Sequence, residues 1–261
     1  MNNDSTAAMI ELSLIGIGTG NPQHLTLQAV AALNACDLIL IPHKGAGKDD
    51  LAGLRQQICA QVIQPPGPRI VEFALPVRDP AIQDYTARVD HWHDAIAEVW
   101  IKTIRDHCPG GKVRVGFLVW GDPSLYDSTM RIAERLRARV GMQMQVIPGI
   151  TSIQALTAAH GVPLNGIGAP VQITTGRRLR DHGWPEGCDT LVIMLDGDCS
   201  FQSLEAPEEV MIHWSAYAGM ENEINIAGRL SEVQAEILAT RASARADHGW
   251  IMDIYLLQRL T

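Results

Sequence analysis

The chain of 261 residues is 46% apolar and 19% charged, ordinary values that exclude a disordered or fibrous protein, and its length suits one large domain or two smaller ones. A formal charge of −8 argues against a general binder of nucleic acid or anionic membrane, and apolar runs such as Leu38 to Ile41 fall far short of the ~20 residues of a membrane span. Five widely spaced cysteines without a C-x-x-C pair fit reduced thiols in a cytosol better than a disulfide framework or a zinc site.

Met1 to Ala8 lacks the basic and apolar regions of a signal peptide and reads as a short frayed leader. A strand from Ile10 to Ile17 ends in Gly16-Ile17-Gly18-Thr19-Gly20. A helix is expected over Leu25 to Ala35, then a strand from Asp37 to Ile41 stopped by Pro42. Strand, glycine turn, helix and strand form a βαβ unit and imply a parallel sheet. Gln64 to Pro68, with three prolines and a glycine, must be a loop. Tyr85, Val89, Trp92, Ile96 and Val99 recur at helical spacing and predict an amphipathic helix. A strand over Lys112 to Trp120 follows, then the turn Gly121-Asp122-Pro123. The next helix carries Leu125, Thr129, Ile132, Leu136 and Val140 on one face.

From Met144 the texture changes to short strands (Gln145 to Ile147, Val171 to Thr175, Thr190 to Leu195, Glu209 to Trp214 and a last one over Trp250 to Leu257). Two helices stand out among them, one from Ser152 to His160 and one opened by Ser231-Glu232-Val233-Gln234, a capping-box pattern. The expected organisation is two α/β domains, 9–142 and 143–261, with the boundary near Gly141 to Gln145.

The first glycine run has the spacing G-x-G-x-G, and Asn21-Pro22-Gln23-His24 delays the helix that would have to sit on a pyrophosphate, which argues against a nicotinamide site. Gly121 removes a side chain at the C-terminal lip of a strand, where α/β proteins bind ligands, and Asp122-Pro123 forces an extended-to-turn geometry. Pro148-Gly149-Ile150-Thr151-Ser152 repeats the pattern with two hydroxyls at a helix start. Each turn alone reads as an ordinary capped turn; together they suggest a ligand site. His91 and His93, two apart on a helix, point to nearly opposite sides; they read as surface residues, and no metal site is expected. His24, His107, His182 and His248 lie near turns without evident partners.

Gly16 to Gly20 followed by Leu25-Thr26, then Trp120-Gly121-Asp122-Pro123, Val146 to Ser152 and Thr190 to Met194 stand in the order found in the tetrapyrrole methylases, S-adenosylmethionine-dependent methyltransferases of cobalamin and sirohaem synthesis. From residue 9 onward the chain resembles that family, except that Thr19 and Trp120 replace a proline and a glycine of its usual turns. The resemblance implies a two-domain α/β tetrapyrrole methylase fold with the cofactor, S-adenosyl-L-methionine, in the interdomain cleft. It places cofactor contacts on Thr19, Trp120, Gly121, Asp122, Leu125, Thr151 and Ser152, on either Met194 or Leu195, and on Ala218.

The stretches Leu118 to Thr129, Pro170 to Leu179 and Gly249 to Leu257 are similar to a deacetylating branch of the family. They imply methylation of carbon 1 of precorrin-5 with release of acetate, in a cytoplasmic homodimer. A substrate rich in acetate and propionate groups needs local positive charge, offered by His43, Lys44 and Lys48 and by Arg177, Arg178 and Arg180. Of these, Lys44, Arg177 and Arg178 are the substrate-binding candidates, since basic side chains pair with carboxylates. Deacetylation needs a water, a proton acceptor and oxyanion stabilisation, for which Tyr126, Asp127 and His43 are candidates. A methylase for another precorrin position, a non-catalytic corrinoid-binding protein and a nicotinamide dehydrogenase are the competing readings.

Overall fold

The structure, a computed structural model, describes residues 9–43 and 50–260. The chain divides into two compact units, residues 1–150 and 151–261.

The first unit holds β1 (Ile10–Gly16), α1 (Leu27–Ala35), β2 (Leu38–His43), α2 (Asp50–Val62), β3 (Arg69–Ala74), α3 (Tyr85–His107), β4 (Val113–Val119), α4 (Thr129–Arg137) and β5 (Met142–Ile147). Its strands form one sheet in the order β3-β2-β4-β1-β5, with every pairing parallel. In β2 the alternation is visible residue by residue. Leu38 and Leu40 join a cluster with Ile96, Trp100 and Leu136 of α3 and α4, while Ile39 and Ile41 pack with Leu33 and Ile58 of α1 and α2. A strand buried on both faces reads as a continuous apolar run.

Pro42 does not stop β2. Leu75 donates its N–H to the His43 carbonyl on the β3 side, so the alternate residue Pro42 faces β4, whose pairing with β2 already ends at Leu40 and Phe117. The donor that proline lacks is not needed there. α2 and β3 carried no distinct sequence signal. α4 begins only at Thr129, leaving Leu125 in the preceding turn. The buried stripe of α3 runs through His93, Ile96, Trp100 and Ile104 while Tyr85 is 53% exposed. His93, expected at the surface, lies three residues before Ile96 on that stripe and is buried; burial lowers its pKa and keeps the ring neutral.

The expected boundary near Gly141 to Gln145 is corrected as well. It would cut β5, which pairs with β1 along Ile10 to Ile15 and completes the first sheet. The division falls after Ile150.

The second unit holds α5 (Ser152–His160), β6 (Val171–Thr175), α6 (Gly176–His182), β7 (Thr190–Met194), β8 (Val210–Ala216), β9 (Ile224–Arg229), α7 (Leu230–His248) and β10 (Asp253–Arg259), with a sheet in the order β6-β7-β10-β8-β9. β6 and β7 are parallel, and β10 runs antiparallel to both β7 and β8. Trp214, Ile212, Tyr255 and Leu257 pack with Ile237 of α7, and α5 rests against β8 and β10. The sequence missed α6 and β9. The capping pattern at Ser231 is not used, because the buried Leu230 already opens α7 and its N-cap is Arg229, without a side-chain cap bond.

Burial pushes the Cys36 thiol up to about 12 and those of Cys59 and Cys199 to about 11, so these are protonated core residues rather than nucleophiles. Among the described residues no helix is long and apolar enough to cross a membrane.

Candidate functional site

In the first sheet the chain leaves β1 toward β2 and β3 but leaves β4 toward β5, on the opposite side. The carboxyl ends of the adjacent strands β1 and β4 are therefore a topological switch point, where open α/β sheets bind ligands. The glycine turns meet there. Gly18 and Gly121 exchange backbone hydrogen bonds, Gly121 N–H to Gly18 O at 2.7 Å and Gly18 N–H to Gly121 O at 3.4 Å. Both are left-handed, with φ of 71° and 60°, conformations that glycine adopts without steric cost. The turn after β5 closes the set. A Cβ on Gly149 would stand 2.1 Å from the Gly121 carbonyl oxygen, and one on Gly16 would stand 2.6 Å from the Gly149 nitrogen. Three backbones pack where side chains would have separated them.

Asp122 ties these turns together. Its Oδ2 accepts the Gly149 N–H at 2.9 Å, and its Oδ1 accepts the Ser124 N–H at 2.8 Å and the Ser124 hydroxyl at 2.5 Å. Partial burial pushes this carboxyl up, but the bonds from Ser124 and Gly149 outweigh it and hold its pKa below the ordinary carboxylate value. Asp122→Ala should cost about 1–3 kcal/mol at neutral pH, because the Gly149 N–H loses its acceptor. The native pKa is lowered, so this contribution is complete above roughly pH 4, the unfolded value, and is lost as the pH falls through the lower native value. Urea unfolding of the wild type and variant at a series of pH values should show a constant stability gap that narrows only below that point.

The other first-unit candidates occupy the same sheet edge. Thr19 is buried, and its hydroxyl shares a 2.8 Å hydrogen bond with His24 Nδ1, so His24, expected without a partner, locks the first turn. Asn21 caps the short 3-10 turn Pro22–His24, and Thr26 caps α1 beyond it, the delay that the sequence implied. Leu125 donates its N–H to the Asp122 carbonyl. Tyr126 is 45% exposed with φ of 50°, and Asp127 Oδ1 accepts the Thr129 N–H at 2.6 Å. His43 ends β2 at this edge, half-buried. Lys44 and Lys48 lie outside the described residues.

One residue here escaped sequence reasoning. Arg55 of α2 reaches the end of β4, where its Nε donates to the Leu118 carbonyl at 3.1 Å and its guanidinium carbon stands 5.2 Å from the centre of the Trp120 ring. A single arginine on a helix of unremarked pattern gives no sequence signal for this.

In the second unit, Thr151 is the N-cap of α5. Its hydroxyl accepts from Ile153 N–H and donates to Gln154 Oε1, and the Gln154 side chain also accepts the Thr151 N–H, a complete capping box. Ser152 opens the helix, half-buried. β6, β7 and β8 all point the same way, so one sheet edge collects Arg177 and Arg178, Met194 and Leu195, and Ala218. Met194 is partly buried, whereas Leu195 is 67% exposed with φ of 53°. Tyr217, just before the buried Ala218, also has a positive φ, 52°. Left-handed backbone at a bulky residue is costly and gathers at functional sites.

Arg177 and Arg178 are exposed and belong to the first turn of α6, not to a loop. That turn is pinned on the buried Asp196, since a Cβ on Gly176 would lie 2.1 Å from its carboxyl carbon. Arg180 instead pairs with Asp181 and Asp198.

This chain belongs to the tetrapyrrole (corrin/porphyrin) methylases, whose family model matches residues 11–234. It is 51% identical over 255 residues to the precorrin-6A synthase [deacetylating] of a Sinorhizobium species, covering 97% of both chains. Among solved structures, the cobalamin synthesis related protein CobF of Corynebacterium diphtheriae superposes with a TM-score of 0.81 at 38% identity, over 97% of this chain and 100% of that one. The uroporphyrin-III C-methyl transferase of Thermus thermophilus, complexed with S-adenyl homocysteine, shares the fold at a TM-score of 0.54 and 20% identity, covering 95% and 97% of the two chains.

Proposed function

We propose that this chain methylates carbon 1 of precorrin-5 and releases the neighbouring acetyl group as acetate, giving precorrin-6A. The observation that carries this reading is the 51% identity, over 97% of both chains, to a relative of that name. The methyl donor is S-adenosyl-L-methionine, which supplies an electrophilic methyl carbon on its sulfonium when bound. The turn at Gly121 fits such a molecule. It stands at the switch point, presents backbone without a side chain, and lies next to Trp120, whose buried indole N–H has no acceptor among the described residues.

This reading assigns cofactor contacts to Thr19, Trp120, Gly121, Asp122 and Leu125 in the first unit and to Thr151, Ser152, Met194, Leu195 and Ala218 in the second. Asp122 and Thr19 act through the backbone, holding the turns that this reading sets against the ligand. Leu195 offers exposed apolar surface, and Met194 and Ala218 flank it along the same sheet edge.

Arg177 and Arg178 are assigned to substrate carboxylates, and Lys44 stands with them. Both arginines are exposed in the first turn of α6. An electron-rich pyrrole-derived carbon attacks without a strong base, so alignment carries much of the methyl transfer. Deacetylation needs a proton acceptor for water, and Tyr126, Asp127 and His43 are the groups assigned to it. Assembly as a homodimer is part of the same reading.

Anaerobic incubation with precorrin-5 and S-adenosylmethionine should release S-adenosylhomocysteine and acetate together, and mass spectrometry should find a product lighter than the substrate. Omitting the methyl donor should abolish acetate release. A heavier product that keeps its acetyl group would assign the chain to methylation at another ring position.

A further inference from the structure

Among the described residues, the hydrogen bonds of the partly buried Arg55 go to neutral groups. Its Nε donates to the Leu118 carbonyl and its Nη1 to the Leu51 carbonyl at 3.3 Å. Among the described residues no carboxylate forms an ion pair with it. Asp127 is the anion whose field it feels, but that carboxylate caps the Thr129 N–H. Burial pulls the guanidinium down to about 10 against the raising field of Asp127. Removing a cation from water in this way is expensive unless something supplies the opposite charge.

The placement is specific. Leu118 and Trp120 are the residues just before the Gly121 turn, and Arg55 joins them from 63 positions away in the case of Leu118. The Trp120 ring lies beside the guanidinium, whose carbon stands over it at 5.2 Å from the ring centre. Nε and Nη1 each donate to a backbone carbonyl, and Nη2 donates to no described residue. Of the five N–H groups, three bond no described residue, and the two on Nη2 form one arm of the fork for a ligand.

We propose that Arg55 is a carboxylate-binding residue of the active site, pairing through Nη2 with a carboxylate of the bound ligand at the carboxyl end of β4. This rests on the reading of the chain as a precorrin methylase, which offers two sources of that group. One is the amino-acid carboxylate of the methyl donor, and the other is an acetate or propionate arm of the tetrapyrrole.

Arg55→Met and Arg55→Lys separate them. Calorimetry gives the Kd for S-adenosylhomocysteine, anaerobic turnover gives KM for precorrin-5, and circular dichroism gives Tm. Loss of one charge-assisted bond should weaken one of the two constants about tenfold or more in Arg55→Met, with the other within about twofold. The constant that moves identifies the source. Arg55→Lys should recover part of the loss, since it restores the charge without the planar fork. The proposal is overturned if neither constant moves, or if both move together with a fall in Tm, for Arg55 would then merely tie α2 to β4. A wild type that binds S-adenosylhomocysteine but leaves precorrin-5 unchanged would sink the functional reading, while the calorimetric arm would still decide on Arg55.

Discussion

Gly149→Ala should destabilise the first unit by about 3 kcal/mol and lower turnover on the order of 100-fold. The added methyl carbon would lie 2.1 Å from the Gly121 carbonyl oxygen and 2.9 Å from the Gly16 Cα. Both neighbours are backbone, so no flexible side chain can swing away. Relief requires the turns after β1, β4 and β5 to move apart, which would also break the bond from Gly149 N–H to Asp122. The surface displaced is the one proposed to hold the methyl donor, so binding and stability should fall together. Gly53→Ala is the control. It lies on α2, its new methyl would meet nothing within 4 Å, and it should stabilise by roughly 0.5–1 kcal/mol through helix propensity. Thermal unfolding and S-adenosylhomocysteine calorimetry on both variants check the pair of expectations. A Gly149→Ala protein with wild-type Tm and affinity would show that the turns are not close-packed.

Arg241→Met should cost the second unit about 3–5 kcal/mol. The Arg241 and Asp253 side chains are 12% and 7% exposed and meet at 2.8 Å. The pair is bidentate, with a second contact at 3.3 Å, and Trp214 Nε1 donates to the same carboxylate at 3.1 Å. Arg241 also donates to the Asp196 carbonyl, at the residue whose carboxylate accepts from Tyr255 and Ser200 and underlies Gly176. Removing the arginine strands a buried carboxylate with one indole donor. The double variant Arg241→Met, Asp253→Asn should recover part of the loss, since most of the penalty is the unpaired charge and not the lost attraction. Urea unfolding followed by circular dichroism measures both. Equal losses in the single and double variants would show that packing around Arg241, and not its charge, holds this unit.

Where a structural signal is local, the sequence carried it. The helix Ser152–His160 and the strand Val171–Thr175 have the limits expected from their residues, because a cap, a glycine stop or a β-branched run acts within a few positions. The turns at Gly16 to Gly20, Gly121 to Pro123 and Pro148 to Ser152 were legible for the same reason. The boundary between the units was not. Met142-Gln143-Met144-Gln145 alternates like an edge strand, and an edge strand looks alike in either sheet until its partner is known. His93 was misjudged because the buried stripe of α3 was drawn through its neighbour Trp92, whereas the stripe runs through His93 itself.

The sequence by itself determined the family, the three glycine turns with the strands that lead into them, and the glycines and aspartate that any ligand site here would need. Tertiary structure decided which of those turns touch, through the approach of Gly149 to Gly16 and Gly121 and the reach of Asp122 across 27 positions to the Gly149 N–H. It also decided that Arg55 stands over Trp120. These are contacts between segments far apart in the chain, set by strand order and pairing register. Periodicity and capping report only the neighbours within a turn or two of helix, and carry no information about them.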